Sequence, residues 1–252
     1  MAHVAKCPES ESSRHPLDTV IWKALTSIQA GVAEGDGRAR RYPSAIAPFA
    51  AAIDTSPASL MSLLPLLPEN DRIALFTTEE IEPPVAFTVV RRDSAEQMVL
   101  ETQPSWSTSG GGEIIELRTA DVPAMLGLVS RTEPGPFGPR TIELGRYIGI
   151  RQGHDLAAMA GERMRLTGFT EISGVCVDPA HRGRGFAADL VGVLASSILA
   201  RSETPFLHVF SSNLSAITLY RKLGFVLRRR MQLAVLARAN VSEKAALAPG
   251  ET

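Results

Sequence analysis

The chain has few cysteines, few aromatic residues and no excess of charge of either sign. Cys7 and Cys176 are its two cysteines among 252 residues, too few for a disulfide framework. Aromatic residues make up 6% and the formal net charge is -1, which argues against nucleic acid as a main partner because such partners select strongly basic surfaces. No His/Cys/Asp cluster has the spacing of metal ligands, so we expect no metal.

Long apolar runs are also missing. Residues 190–200 form an apolar stretch that is far too short to span a membrane and is interrupted by Ser196 and Ser197. The first residues lack the apolar core of a signal peptide. These absences predict a cytoplasmic protein with no membrane partner. A hydrophobic content of 44% still permits one large or two small domains with real cores.

The most informative segment runs from a β-branched strand through a glycine turn into a helix: Val175-Cys176-Val177-Asp178-Pro179-Ala180-His181-Arg182-Gly183-Arg184-Gly185-Phe186-Ala187. A helix start leaves backbone N–H groups without partners, and an anion can bind there. Gly183 and Gly185 let the backbone approach a ligand, while Arg182 and Arg184 add positive charge. The segment therefore predicts a pyrophosphate site.

Two common phosphate motifs do not fit this segment. A Walker loop ends in Gly-Lys followed by Ser or Thr, and a dinucleotide fingerprint needs a third glycine where Ala188 stands. The residues instead resemble motif A of the GNAT acetyltransferase superfamily: Arg or Gln, two residues, Gly, one residue, then Gly or Ala. Arg182, Gly185 and Ala187 meet that pattern.

A second segment resembles motif B of the same superfamily, Asn-x-x-Ala-x-x-x-Tyr-x-x-x-Gly-Phe. It runs from Asn213 to Phe225 and follows a predicted strand, Phe206 to Phe210. Ala216 and Tyr220 lie four residues apart on one helix face, and Gly224 suits the left-handed position after a helix. Because both motifs occur in the right order and separation, the chain is identified as a member of the superfamily.

The resemblance implies an α/β fold with a mixed sheet, the GNAT acyl-CoA N-acyltransferase fold, over residues 113–236. We expect a disordered start at 1–15, a smaller α/β accessory domain at 16–102, a Ser/Gly/Pro linker at 103–112 and a flexible tail at 237–252. The accessory domain resembles the degenerate N-terminal halves of glycine N-acyltransferase-like proteins. It would shape the acceptor pocket, cover a sheet edge or form a homodimer.

Within this layout the C-terminal part predicts six strands and three helices, with a short helix near Thr141 to Leu144. The N-terminal part predicts a helix from Pro16 to Ala33, helical stretches at 45–53 and 59–67, and a strand at 73–77. Segments at 86–91 and 97–101 are predicted as strands that pair with the strand at 73–77. The last predicted strand, near 227–236, contains Arg228, Arg229 and Arg230, which either alternate between faces or line an acidic-substrate or CoA phosphate surface.

The family's mechanism assigns roles to residues of both motifs. Acetyl-CoA would lie between two diverging strands, and an amine would attack the thioester directly. Val175, Cys176 and Val177 would bind the pantetheine amides, and Asn213 would contact the pantetheine arm or the reacting region. The pyrophosphate would take the backbone amides of Gly183, Arg184, Gly185, Phe186, Ala187 and Ala188, beside Arg182. Tyr220 would protonate the departing thiolate.

Glu171 is the candidate general base, with Glu162 on the preceding strand in reserve; each could instead be a solvated strand end. Cys176 lies in an apolar run, which favours a buried inert thiol over a nucleophile. His181 and His208 are interpreted as polar contacts rather than catalysts. The loop from Thr132 to Arg140 is a candidate for acceptor selection. Two other functions stay open: transfer of a longer acyl chain to an amino acid, and a non-catalytic acyl-CoA sensor.

Overall fold

The computed structural model describes residues 15–102 and 111–239. Three segments lie outside the described residues: the start at 1–14, which contains Cys7, most of the proposed linker, and the tail beyond 239. The expectations of a disordered start, a flexible linker and a flexible tail therefore stay predictions.

A single eight-stranded sheet dominates the described structure. Its strands are β4 (Ile73–Thr77), β5 (Phe87–Val99), β6 (Ile114–Leu117), β7 (Tyr147–Gln152), β8 (Asp155–Leu166), β9 (Phe169–Val177), β10 (Thr204–Phe210) and β11 (Val226–Arg238). Their order across the sheet is β4-β11-β5-β10-β9-β8-β7-β6. Neighbouring strands are antiparallel except for β9 and β10, which are parallel. This is the mixed sheet that the sequence predicts. A second, three-stranded sheet contains β1 (Glu34–Gly35), β2 (Ala39–Arg41) and β3 (Ala50–Ala52).

Helices cover both faces of the large sheet. On one face, α4 (Phe186–Ala200) and α5 (Leu214–Lys222) bury a core with Ile172 and Leu207. On the other face, α1 (Val20–Thr26) packs over Met164 and Phe206, and α3 (Val122–Thr132) packs over Met159 and Cys176. A short α2 (Pro57–Met61) belongs to a satellite core of the N-terminal segment. The face under α4 and α5 is called the helix-α4 face below, and the opposite one the helix-α3 face.

The N-terminal segment is part of the large sheet, so the predicted accessory domain at 16–102 is not separate from the domain at 113–236. β5 lies between β10 and β11, pairs with β11 along most of its length and pairs with β10 from Ala95 to Val99. β4 pairs with β11 rather than with β5, which makes the predicted pairing of those segments wrong. The sheet crosses the proposed boundary because a strand from the N-terminal segment supplies one of its central positions.

Local predictions are accurate in the C-terminal part and mixed in the N-terminal part, where the strand at 73–77 is present as predicted. Every strand and helix predicted between residues 113 and 236 is present. The helix predicted from Pro16 to Ala33 ends at Thr26, and residues 45–53 form turns and β3 instead of a helix. Pro48 lies in that segment and β3 pairs with β2, so tertiary pairing overrides the local alanine content.

Candidate acyl-CoA site

The two parallel strands β9 and β10 separate partway along their length. They pair at three positions, where Phe169, Thr170 and Glu171 face Thr204, Pro205 and Phe206. Beyond these, β9 continues to Val177 and β10 to Phe210 without pairing to each other. The separation leaves backbone groups on the β10 side of β9 available to a ligand, because a strand presents such groups along both of its edges. This opening is called the wedge.

A β-bulge in β9 lies beside the wedge. Between Cys176 and Ser173 the register shifts against β8, so Gly174 and Val175 together face Ala160. Gly174 has a φ of 62°, a left-handed conformation that glycine adopts without a Cβ penalty. Such bulges bend a strand and increase its twist. The part of β9 that contains and follows this bulge does not pair with β10.

The turn after β9 leads into α4 as the glycines predict. Gly183 and Gly185 have φ values of 77° and 82°, and Gly185 is the N-cap of α4. The first helical bond runs from the N–H of Asp189 to the carbonyl of Gly185 at 3.1 Å, so the preceding helix N–H groups have no acceptor within the helix. Leu190 and Leu194 are fully buried and fix the helix on the sheet. The turn therefore presents a rigid set of donors for an anion.

The positive charges of the turn stand beside these donors. Arg182 and Arg184 are exposed, and Arg184 donates to Gln152 Oε1 at 3.2 Å. Because Gln152 is neutral, this hydrogen bond does not compensate the positive charge of Arg184 at the turn.

Asn213 begins α5 and is engaged as its N-cap. Its Oδ1 accepts from the backbone N–H of Ala216 at 3.1 Å and from Ser215 Oγ at 3.0 Å. Helix capping is therefore a sufficient structural reason for an asparagine at position 213. The amide nitrogen of Asn213 is the part of the side chain that this cap does not use.

Tyr220 lies on α5 with its ring 6.1 Å from that of Phe225. Tyr220 is 8% exposed. Burial raises the pKa of its hydroxyl above the ordinary value, and the neighbouring Cys176 raises that pKa further. Tyr220 belongs to the core of the helix-α4 face and Cys176 to that of the helix-α3 face. The two side chains are close enough for the charge of one to affect the other.

Cys176 is an inert thiol, as the sequence indicated. Burial raises its pKa to about 11, although Thr132 and the backbone of Met159 hydrogen-bond it. A thiol that stays protonated near neutral pH is a poor nucleophile. A covalent acetyl-cysteine step is therefore disfavoured.

The structure argues against Glu171 as the general base. The residue is fully buried, and its carboxylate accepts two bonds from Arg163, at 2.9 Å from Nε and 2.7 Å from Nη2. Burial alone would raise its pKa, but Arg163 and then His208 outweigh that effect and hold the pKa at about 2. A carboxylate with so low a pKa is a weak base. Glu171 is thus an internal counter-ion rather than a solvated strand end.

The local geometry of β8 explains this ion pair. Glu162 faces Ile172 and Arg165 faces Thr170, so two residues of β8, Arg163 and Met164, face Glu171 alone. The backbone N–H of Met164 also lies 3.3 Å from Glu171 Oε2. The guanidinium carbon of Arg163 stands 4.6 Å from the ring centre of Phe49, an added cation–π contact.

Glu162, the reserve base, is held in an ion pair. Its Oε1 accepts from Arg201 Nη2 at 3.0 Å, and Arg201 is the C-cap of α4. Its backbone faces Ile172, the first residue of β9 beyond the paired positions. The reserve assignment stays a prediction, in which the carboxylate would have to act while paired with Arg201.

His208 is the centre of a polar network that the sequence did not predict. His208 Nδ1 lies 2.8 Å from Glu171 Oε1, and its Nε2 lies 3.0 Å from Gln97 Nε2. Gln97 accepts from Arg228 Nε at 2.5 Å and donates to the Leu17 carbonyl at 3.0 Å. Arginine only donates and a carbonyl only accepts, so Gln97 must donate to His208 Nε2. His208 therefore carries its proton on Nδ1 and donates it to Glu171.

Phe76 stacks on this histidine with ring centres 4.5 Å apart. The members of the network come from distant parts of the chain, so no spacing in the sequence reveals it.

The arginine triplet of β11 has structural partners. Arg228 and Arg229 both bind Asp18, because the register of β11 shifts between Leu227 and Arg229. Arg230 lies 3.8 Å from Glu96. Arg228 is thus held in a mostly buried ion pair, whereas Arg229 and Arg230 keep exposed side chains. The expectation of an acidic-substrate or CoA phosphate surface stays a prediction for those two residues.

Two further properties concern metals and membranes. In the described ranges, no three His, Cys, Asp or Glu side chains form a group that could hold a metal ion. No helix in the same ranges has the length and apolar character needed to cross a bilayer.

The mixed sheet, its two separating parallel strands and the glycine turn before α4 are features of the acyl-CoA N-acyltransferase fold. Comparison with known proteins identifies the family. The model of the FR47-like protein family matches residues 147–233. A solved protein of Novosphingobium aromaticivorans, described as an acetyltransferase from the GNAT family, is 40% identical, with a TM-score of 0.83 and coverage of 90% of this chain and 100% of that one. This chain belongs to the GNAT acetyltransferase family.

Curated relatives agree over shorter spans. The ribosomal protein bS18-alanine N-acetyltransferase of Escherichia coli is 30% identical over 118 residues, 44% of this chain and 79% of the relative. The N-alpha-acetyltransferase RimI of Mycobacterium tuberculosis is 39% identical over 90 residues, 33% of this chain and 56% of the relative. The chain thus spans just over half the length of RimI, and 22% of a Mycobacterium leprae relative. The likeness of layout to glycine N-acyltransferase-like proteins stays a prediction.

Proposed function

We propose that this protein transfers an acetyl group from acetyl-CoA to an amine acceptor by direct attack on the thioester. The observation that carries the proposal is the wedge, which begins beyond Glu171 and Phe206; the same proposal puts Tyr220 at the wedge as the general acid. In the proposed reaction the amine nitrogen forms a bond to the acetyl carbon, and the bond between that carbon and sulfur breaks. The thiolate of CoA then takes a proton from Tyr220.

The residues around the wedge suit acetyl-CoA. The pantetheine amides would bind the exposed backbone edge from Val175 to Val177, and the amide nitrogen of Asn213 would reach the arm. The pyrophosphate would bind the N–H groups of residues 183–188, with Arg182 and Arg184 adding charge. When bound, acetyl-CoA supplies the activated thioester. The protein's own part is to position it and to deliver a proton.

Proton handling follows from the burial of Tyr220. Because burial raises its pKa, the hydroxyl is protonated at neutral pH and carries the proton that the proposed step needs. The same shift makes it a weaker acid than an exposed phenol, so the transfer relies on its proposed position beside the sulfur rather than on its acidity. The amine needs only to arrive neutral or to lose its proton to water, so a strong protein base is unnecessary. This removes the need for Glu171 in that role.

The acceptor is tested by pairing calorimetry with thiol release. Acetyl-CoA is titrated into the protein, and CoA release is followed with an alanine-starting peptide, free alanine, a lysine peptide and spermidine. The alanine peptide is tried first because two relatives are N-terminal or alanine acetyltransferases by name. Binding with release for one amine supports the proposal. Binding without release favours the sensor, and faster release from longer acyl-CoAs favours the alternative enzyme.

Tyr220→Phe is expected to lower kcat about a hundredfold, the usual effect of losing a general acid. The phenyl ring keeps its packing against Phe225, so the KM for acetyl-CoA and the melting temperature should stay close to wild type. Steady-state kinetics and a thermal melt check both statements. An unchanged kcat would assign the proton to another donor and refute the role of Tyr220.

A further inference from the structure

Tyr147 at the start of β7 carries a buried hydroxyl without a hydrogen-bond partner. The residue is 1% exposed, and no described residue hydrogen-bonds its oxygen. Leaving such a group unpaired costs about 1 to 3 kcal/mol. Buried hydroxyls in native proteins are nearly always paired, so this one calls for a partner from outside the chain.

The ring of Tyr147 extends across β8 towards the bulge in β9. Its atoms lie 2.2 to 2.5 Å from the position that a Cβ would take on Gly161, so only glycine there lets the ring pass. On the far side, the ring carbon next to the hydroxyl-bearing carbon lies 3.5 Å from the corresponding position on Gly174. The hydroxyl therefore points over β9, the strand that borders the wedge.

The surroundings of the hydroxyl belong to the helix-α3 face. Tyr147 packs in one core with Met159 and Cys176, and the charges of Arg163 and Glu171 act on its hydroxyl. Burial raises the pKa of Tyr147 above its ordinary value, so the group stays a neutral phenol.

Phe137 covers the ring edge-on, with centres 5.6 Å apart. Phe137 comes from the loop of residues 132–140, the candidate for acceptor selection.

We propose that the Tyr147 hydroxyl is the acceptor-side hydrogen-bond partner of the attacking amine, holding it at the wedge opposite the helix-α4 face that carries Tyr220. A neutral amine has N–H bonds to spare while its lone pair attacks, and the phenol oxygen accepts one of them. The ligand class is thus a primary amine that enters from the helix-α3 face beneath Phe137. This inference rests on the proposed function and deepens it.

The test compares two deletions of a single hydroxyl. Tyr147→Phe removes the unpaired group, whereas Tyr42→Phe removes one that is equally buried but donates to Gln29 Oε1 at 2.5 Å. Both proteins are assayed with acetyl-CoA and the panel amine that wild type turns over fastest. Calorimetry measures the affinity of that amine in the presence of CoA, and of acetyl-CoA alone.

For Tyr147→Phe we expect kcat/KM for the amine and its affinity to fall about tenfold, the value of one hydrogen bond. Acetyl-CoA affinity should be unchanged and the melting temperature equal or higher, since an unpaired buried group is gone. Tyr42→Phe should melt at a lower temperature and keep the wild-type amine affinity. Wild-type amine kinetics in Tyr147→Phe would mean that solvent satisfies the hydroxyl, and would overturn the inference alone. If the wild-type protein bound CoA but neither bound nor acetylated any amine, both the proposed function and this inference would be overturned.

Discussion

Replacing Gly185 by Asp is expected to weaken acetyl-CoA binding at least about a hundredfold. The carboxylate would stand at the N-cap of α4, where the pyrophosphate is proposed to bind, and two like charges would share one site in a partly desolvated turn. Asp tolerates the left-handed conformation that Gly185 adopts better than most residues and is a favoured helix cap. The fold should therefore survive while the anion site is lost.

Gly185→Asn is the matched control, because it has nearly the same shape and no charge. We expect it to reduce the affinity far less than Asp does, so the ratio between the two isolates charge repulsion. Isothermal titration with acetyl-CoA measures both, and circular dichroism checks that α4 is retained. Equal affinities in wild type and Gly185→Asp would refute a pyrophosphate site at this turn.

Glu171→Gln is expected to destabilise the protein by on the order of 3 kcal/mol, because it leaves the buried guanidinium of Arg163 without its counter-ion. Arg163 is 8% exposed at its side chain, so water cannot replace the lost charge. Urea unfolding at pH 7 measures the change in the free energy of unfolding. Below the melting temperature, turnover by the folded variant should keep the pH profile of wild type.

The pH dependence of stability gives an independent check. The pKa of Glu171 falls from 4.5 to about 2 on folding, so its contribution is present above about pH 4.5 and is lost as the pH falls towards 2. The stability difference between wild type and Glu171→Gln should shrink over that window. A difference that is constant with pH would contradict the ion pair.

Glu162→Gln is the control variant for the predicted effect of Glu171→Gln. Its carboxylate is as buried as that of Glu171, but its partner Arg201 is 34% exposed at the side chain and keeps contact with water. Removing the charge should cost about 1 kcal/mol or less. If both variants lost equal stability, the cause would be the change at the buried carboxylate and not the loss of a counter-ion by the buried Arg163. A Glu171→Gln variant that lost turnover selectively at low pH would restore Glu171 as the base.

The C-terminal part of this fold could be predicted from the sequence because its signals are local. The turn at Gly183 and Gly185, the cap at Asn213 and the apolar periodicity of α4 each specify structure within a few residues. The same holds for the placement of Tyr220 on α5. These segments are the ones that the family motifs cover.

What could not be predicted depends on contacts between distant residues. The pairing of Arg163 with Glu171 arises from a bulge in β8, and the position of His208 requires Gln97 and Arg228 from two other strands. Nothing near Tyr147 in the sequence indicates that its ring crosses Gly161. The pairing of β5 likewise follows from the complete sheet, so its polar middle suggested two short strands instead of one.

The position of β5 has a consequence for the order in which the protein can assemble. β5 ends at Val99, whereas its partners begin at Thr204 and Val226, so during synthesis it emerges long before either neighbour exists. Its edges would stay unpaired until β11 leaves the ribosome, a state prone to association with other chains. Contacts so distant in sequence also slow folding. We therefore expect the nascent chain to depend on chaperones until its last strand is made.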